Sequence, residues 1–308
     1  MIKVRGFTKR YDRFLAVDHL DLDIEKGDVF GFIGPNGAGK TTTIRFLATL
    51  LKPTSGQAWI NGYSVTKQVD DVKRSIGFMP DTFGLYDGMK VWEFLDFFAT
   101  AYGLPRSKRR ALIDDVLELV DLTTKRDALV NGLSRGMQQR LCLAKTLVHD
   151  PPVLILDEPA SGLDPRARVE MKALLKELQK MGKTILISSH ILPELAGFCN
   201  KIGIIERGKL LVAGPVQDVI HSIRQNRVVE IEVAGQSETC EVVLAHHPQV
   251  RNLAAGENCF KFEFVGNNDD VLKLHRELIS QNVPVIWFSE VEADLEEAFM
   301  KITKGLVA

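Results

Sequence analysis

The chain has 308 residues, 26% of them charged, with a net charge of −1. Two domains are expected at this length, and the even charge balance excludes a strongly basic chain, giving no argument for nucleic acid or an anionic membrane surface as partner. Apolar residues make up 45%, yet no run approaches the ~20 residues that cross a bilayer, and Met1-Ile2-Lys3-Val4-Arg5 lacks a signal peptide's apolar core.

In chain order, Ile2/Val4 and Leu20/Leu22/Ile24 alternate as strands of an antiparallel sheet, closed by the turn Glu25-Lys26-Gly27-Asp28. The apolar run 29–33 precedes Gly34-Pro35-Asn36-Gly37-Ala38-Gly39-Lys40-Thr41-Thr42, and a helix continues over 43–51 until Pro53 stops it. Residues 58–60 and 75–78 read as further strands. From about 83 to 150 the spacing is helical, with Val91, Leu95, Phe98 and Tyr102 on one core-facing stripe. Leu112, Val116, Leu119 and Val120 form another, after the cap candidate Ser107. Arg106, Lys108, Arg109 and Arg110 read as a solvated helix start rather than a nucleic-acid patch. Residues 153–156 and 184–187 are apolar on both faces, as strands of a covered parallel sheet must be, with a helix over 166–181 between them. Strands at 202–205 and 210–212 flank the turn Arg207-Gly208. Beyond about 226 a second unit begins: a strand over 228–233, a helix over 240–245, alternation at 260–264, a helix over 269–281, an extended stretch over 283–288 and a last helix over 295–302. That order approximates βαββαβ and predicts a small ferredoxin-like α+β domain. Cys142, Cys199, Cys240 and Cys259 are scattered and read as reduced thiols in a cytosolic protein. His246, His247 and His275 lack metal-ligand spacing.

Strand, glycine-rich loop and helix, in that order, make a phosphate-binding loop. Its backbone N–H groups and the positive end of the following helix converge on one anion. Lys40 would reach the β- and γ-phosphates, and the Thr41 hydroxyl would ligate Mg²⁺. The competing reading is an ordinary glycine-rich turn feeding a helix. A second signal is Asp157-Glu158-Pro159, placed where a buried parallel strand ends and α/β ligands sit. Asp157 would hold Mg²⁺ through water and Glu158 would be the general base for an attacking water. The alternative there is an exposed acidic turn.

Leu133-Ser134-Arg135-Gly136-Met137-Gln138-Gln139-Arg140, standing before Asp157-Glu158, resembles the signature motif of ATP-binding cassette (ABC) transporter ATPases. Residues 1 to about 220 carry the resemblance. It implies a P-loop NTPase of the α/β class, with a mixed-sheet core, an antiparallel β subdomain and a helical subdomain over about 83–150. The remainder, 226–308, is the accessory domain. By the same resemblance Tyr11 stacks on adenine, Phe78-Met79-Pro80-Asp81 is the so-called Q-loop, Ser161-Gly162-Leu163-Asp164 follows the catalytic acid and touches nucleotide through Asp164, and His190 is the switch histidine on the γ-phosphate. The family usually has Gln where this chain has Asp81; a carboxylate retains oxygen for Mg²⁺. Arg135 and Met137 replace the commoner Gly and Gln, while Ser134 and Gly136 are kept; Arg135 would add positive charge near the nucleotide.

Ser134 begins a helix whose Met137, Leu141, Ala144 and Val148 share one face, so it reads either as a plain N-cap or as an anion site without its own anion. In the family that anion is the γ-phosphate of ATP on a second copy. The resemblance therefore implies a head-to-tail homodimer around two ATP molecules, driving separate integral membrane permease subunits, with contact through Phe83, Leu85, Tyr86 and the helix 91–102. The expected activity is ATP hydrolysis coupled to export by a cytoplasmic subunit peripheral on the inner face of the membrane, without a nucleic-acid partner. The rival readings are a soluble ATPase remodelling a ribosomal or nucleic-acid complex, and a nucleotide sensor that does not turn over.

Overall fold

In a computed structural model, which describes all residues except 83, 87, 193, 194, 196, 224–226, 236 and 292–308, β1 (Ile2–Tyr11) and β2 (Phe14–Ile24) form a hairpin turning at Asp12 and Arg13. Ile2, Val4, Leu20, Leu22 and Ile24 are buried, as period-two alternation requires of a sheet with one covered face. The chain then forms β3 (Val29–Ile33) and α1 (Lys40–Leu47), and returns as β4 (Ser55–Ile60) and β5 (Tyr63–Ser64) to complete an antiparallel sheet of order β2-β1-β4-β5. Phe7 stacks on Phe46 at 4.1 Å, fastening this sheet to α1. The helix expected to run to residue 51 ends at Leu47 instead, because Thr49 takes a left-handed conformation (φ 64°) that no helix continues.

After α2 (Val69–Ser75), which the alternation at 75–78 concealed, comes β6 (Ile76–Met79). The helical region follows as α3 (Val91–Ala101), α4 (Arg106–Leu119) and α5 (Arg135–Leu147). Two expectations are corrected here. Pro105, not Ser107, precedes the first turn of α4, as its fixed φ of −64° suits it to do. The buried face of α4 carries Ile113, Val116 and Leu117 rather than Leu112 and Leu119, and Tyr102 is half-exposed, stacked on His149 at 3.7 Å.

The core sheet adds β7 (Val153–Leu156), β8 (Thr184–Ser189), β9 (Lys201–Glu206) and β10 (Lys209–Pro215) in the order β10-β9-β3-β8-β7-β6. All its neighbours are parallel except the β9–β10 hairpin. Every residue of β3, β7 and β8 is buried, the mark of strands covered on both faces. Helix α6 (Pro165–Lys180) crosses between β7 and β8. The consequence for function is geometric. Parallel strands end together, so the residues after β3, β6, β7 and β8 share one carboxyl edge.

Contacts divide the chain into two units, 1–216 and 217–308. After α7 (Val216–Ile223), the second contains β11 (Arg227–Val233), α8 (Ser237–His246), β12 (Val250–Ala255), β13 (Cys259–Phe264), α9 (Asn268–Ser280) and β14 (Val285–Val291). Its antiparallel sheet has the order β12-β13-β11-β14, and Ile231, Phe260, Phe262, Phe264, Leu274 and Leu278 fill a core of its own. The helix expected over 295–302 lies outside the described residues. All four cysteines are free thiols. Among the described residues no helix is long and apolar enough to cross a membrane.

Candidate functional site

Between β3 and α1 the chain makes a tight loop whose glycines are needed for two reasons. A Cβ on Gly34 would sit 2.2 Å from the Ile205 carbonyl oxygen, and Gly39, with φ of 109°, precedes α1 without any side-chain cap. The first N–H groups of α1 therefore have no internal acceptor, which leaves them for an anion. Lys40 opens this helix and is buried; its Nζ donates to the carbonyls of Gly34 (2.6 Å) and Pro35 (3.2 Å) and lies 3.5 Å from Glu158 Oε1. Burial holds the Lys40 pKa below its ordinary value, opposed by the charges of Glu158 and Asp157.

Asp157 and Glu158 follow β7 directly. Glu158 adopts φ of 51°, an uncommon conformation for a side chain with a Cβ and one that clusters at functional sites. Ser188, near the end of β8, holds both acids: its Oγ donates to Asp157 Oδ1 at 2.6 Å and accepts the Glu158 N–H at 2.9 Å. Glu158 Oε2 lies 2.9 Å from His190 Nδ1. The carboxylate is thus suspended between an imidazole and an ammonium, an arrangement suited to taking a proton from water.

The Thr41 hydroxyl is near enough to Asp157 to favour its charged form, so the hydroxyl and carboxylate oxygens expected for Mg²⁺ are neighbours. Among the described residues no three His, Cys, Asp or Glu side chains form a metal cluster. Such a two-oxygen set suits Mg²⁺, which keeps several waters and takes further oxygens from substrate phosphates.

Burial pushes the Asp157 carboxyl above its ordinary 3.8, against the hydrogen bonds of Ser188 and Thr41; Asp81 and Glu158 push it further up. The folded chain therefore holds this proton over an interval above 3.8 in which the unfolded chain has released it. Stability from this site falls as pH rises through that interval. Asp157→Asn removes the buried charge and keeps an oxygen for Ser188. At neutral pH it is expected to raise the Tm of the chain by about 2–4 °C, read by calorimetry.

The loop residues Asn36, Gly37, Ala38, Gly39, Lys40, Thr41 and Thr42 line one groove of about 460 Å³ together with Tyr11, Asp81, Glu158 and His190, a size that suits a nucleotide-scale ligand. Asp81 also accepts from the Thr82 N–H at 2.8 Å. Phe14 joins Tyr11 on the wall; the two are cross-strand partners at the β1–β2 turn, and both are exposed. Sequence reading passed over Phe14 and Ser188, although aromatics on either side of a two-residue turn are a usable signal; the positive charge it offered near the nucleotide at Arg135 does line the groove.

Gly34 and Asp157 are outside that lining, Gly34 bonded to Lys40 and Asp157 to Ser188, and three further predicted residues lie elsewhere. Ser134 and Gly136 stand at the start of α5 outside the groove lining. The Ser134 hydroxyl accepts from the Met137 N–H at 3.4 Å, leaving its own hydrogen to donate outward. Gly136 allows α5 to approach Ala167, whose Cβ would be 3.2 Å from a Cβ built there. Asp164 is not a groove residue: its carboxylate caps α6, accepting from the Ala167 N–H at 2.9 Å. A cap must satisfy the helix's own first N–H groups, so this acid is engaged within its own chain.

Residues 17–161 match the family described as ABC transporter. The chain is 36% identical to the bacitracin transport ATP-binding protein BcrA of Bacillus licheniformis, over 99% of this chain and 98% of that protein. It is 29% identical to the linearmycin resistance ATP-binding protein LnrL of Bacillus subtilis (strain 168), over 98% of both. Among solved structures, the dimeric bacterial ABC transporter cassette MJ0796 aligns with a TM-score of 0.64 and 26% identity, over 70% of this chain and 99% of that one. The same cassette has been solved as a dimer in a post-hydrolysis state with ADP and phosphate.

Proposed function

Because the chain belongs to the ABC transporter family as an ATP-binding subunit, we propose that it hydrolyses ATP within a head-to-tail homodimer to drive an exporter. The carrying observation is the suspension of Glu158 between His190 and Lys40 at the mouth of the phosphate loop. Tyr11 stacks on the base, the loop N–H groups and Lys40 hold the phosphates, and Glu158 takes the proton of the attacking water while His190 fixes its carboxylate. Thr41 and Asp157, with Asp81 nearby, would hold Mg²⁺, which when bound neutralises charge on the β- and γ-phosphate oxygens.

Ser134 supports the dimer. It is exposed at the N-terminus of a 13-residue helix with a hydroxyl hydrogen to spare, and it lies outside its own chain's groove lining. A second copy's nucleotide is the anion it would meet. The names of the bacitracin and linearmycin relatives favour export. The permease subunits would meet the exposed ring of Tyr86, which packs on Phe97 at 5.6 Å, near α3; Phe83 lies outside the described residues. Through that contact the chain would sit on the cytoplasmic face of the membrane. We assign the second unit to the ferredoxin-like class on its βαββαβ order and its strand order.

The test pairs Ser134→Cys with Gly37→Cys in a Glu158→Gln background. A disulfide between protomers is expected with ATP and not without it. Its absence with ATP, in membranes containing the cognate permease, would overturn the dimer arrangement.

A further inference from the structure

Glu158 holds a left-handed backbone conformation (φ 51°) that a residue with a Cβ keeps only where its surroundings impose it. Two contacts act on the residue itself. Ser188 Oγ accepts its N–H at 2.9 Å, and its carbonyl accepts the Ser161 N–H at 3.0 Å. The next residue, Pro159, is buried and has no N–H to give. Its backbone offers only the carbonyl, and that carbonyl accepts from the side-chain amide of Gln139.

Gln139 lies on α5, 2% exposed and outside the groove lining. Gly136, three residues earlier and so on the same side of the helix, allows α5 its close approach to Ala167. A carbonyl can only accept, so the amide nitrogen of Gln139 must face Pro159 and its oxygen must point away. That oxygen is buried without a partner. The following residues Leu141, Cys142, Leu143 and Ala144 are buried as well, and none brings an orphan side-chain oxygen. For stability alone an amide is a poor choice here, because an apolar side chain of similar size leaves no polar atom of its own unpaired. What the amide supplies is a grip on the peptide that follows the general base.

We propose that Gln139 is a positioning residue for ATP hydrolysis, pinning the turn at Pro159 so that the Glu158 carboxylate stays between His190 and Lys40. This rests on the reading above in which Glu158 takes the proton of the attacking water. It adds a residue that acts through the turn rather than on the nucleotide.

The test is a double-mutant cycle on the full-length chain, read by single-turnover hydrolysis, ATP titration and calorimetry. Gln139→Met is expected to slow hydrolysis about 10–100-fold, as a slightly misplaced base does, with ATP affinity unchanged. Tm should stay near that of the parent, since the substitution removes one orphan oxygen and creates another at Pro159. In the Glu158→Gln background the same substitution should change the residual rate less than about 2-fold, because no base is left to aim. An unchanged rate, equal losses in both backgrounds, or a rate loss matched by weaker ATP binding would overturn the positioning role and leave Glu158 as the base. So would a collapse of Tm in both Gln139→Met and Gln139→Leu, which would make the residue structural. Near-normal turnover by Glu158→Gln alone would instead remove the base assignment, and this proposal with it.

Discussion

Glu158→Gln is expected to lower ATP turnover by about 10²–10⁴-fold, the usual contribution of a positioned general base. The amide has nearly the same shape and can still meet His190, but it cannot accept the proton of the attacking water. The effect should therefore fall on kcat, with ATP binding retained, because binding rests on the loop N–H groups and Lys40. The structure sharpens the expectation. Glu158 is fixed from three directions: its N–H by Ser188, one carboxylate oxygen by His190 and the other by Lys40. A base so held loses little entropy on reaching the transition state. His190→Ala should lower kcat less, since it removes one of those restraints and leaves the acid in place. Single-turnover hydrolysis alongside ATP titration checks both; near-normal turnover by Glu158→Gln would exclude the assignment.

Lys40→Met is expected to weaken ATP binding by about 10–100-fold, the loss of charged hydrogen bonds to phosphate, and to leave no measurable turnover. Methionine fills a similar volume, so α1 and its packing on the β1–β2 sheet should persist. The Lys40 ammonium bonds to two loop carbonyls and faces Glu158, contacts that hold a buried cation in place. Burial lowers its pKa, so nearby phosphate charge would favour the ammonium form. Equilibrium titration reads the affinity, and calorimetry without nucleotide should show a Tm close to that of the parent. A large Tm drop would mean that Lys40 is mainly structural.

Much of the candidate site was legible because its residues stand in contiguous strings beside strands with a plain signal. The loop 34–42 follows five apolar residues, and Asp157-Glu158 follows four. Burial on both faces is written into composition, and glycine, lysine and threonine at fixed spacing are the chemistry that a phosphate needs. The βαββαβ order of the second unit was likewise visible in its alternation. Boundaries were less so. The 43–51 helix overran because nothing local announces the left-handed turn at Thr49, and Ser107 looked like a cap two residues after a proline whose φ suits the helix start although it offers no side-chain acceptor.

Pairwise placement came from packing alone. Strands that are apolar on both faces can lie beside any other such strand, so nothing in 184–189 says that Ser188 will bridge Asp157 and Glu158, some 30 residues earlier. That contact exists because β7 and β8 are neighbours in parallel register. The same holds for Gln139 on Pro159, and for Asp164, whose carboxylate the start of α6 claimed as a cap. Chain chemistry thus dictated which groups could bind and cleave a triphosphate, through short-range pattern. Which of those groups face one another was left to the order of strands in the sheet, a long-range outcome that no local spacing encodes.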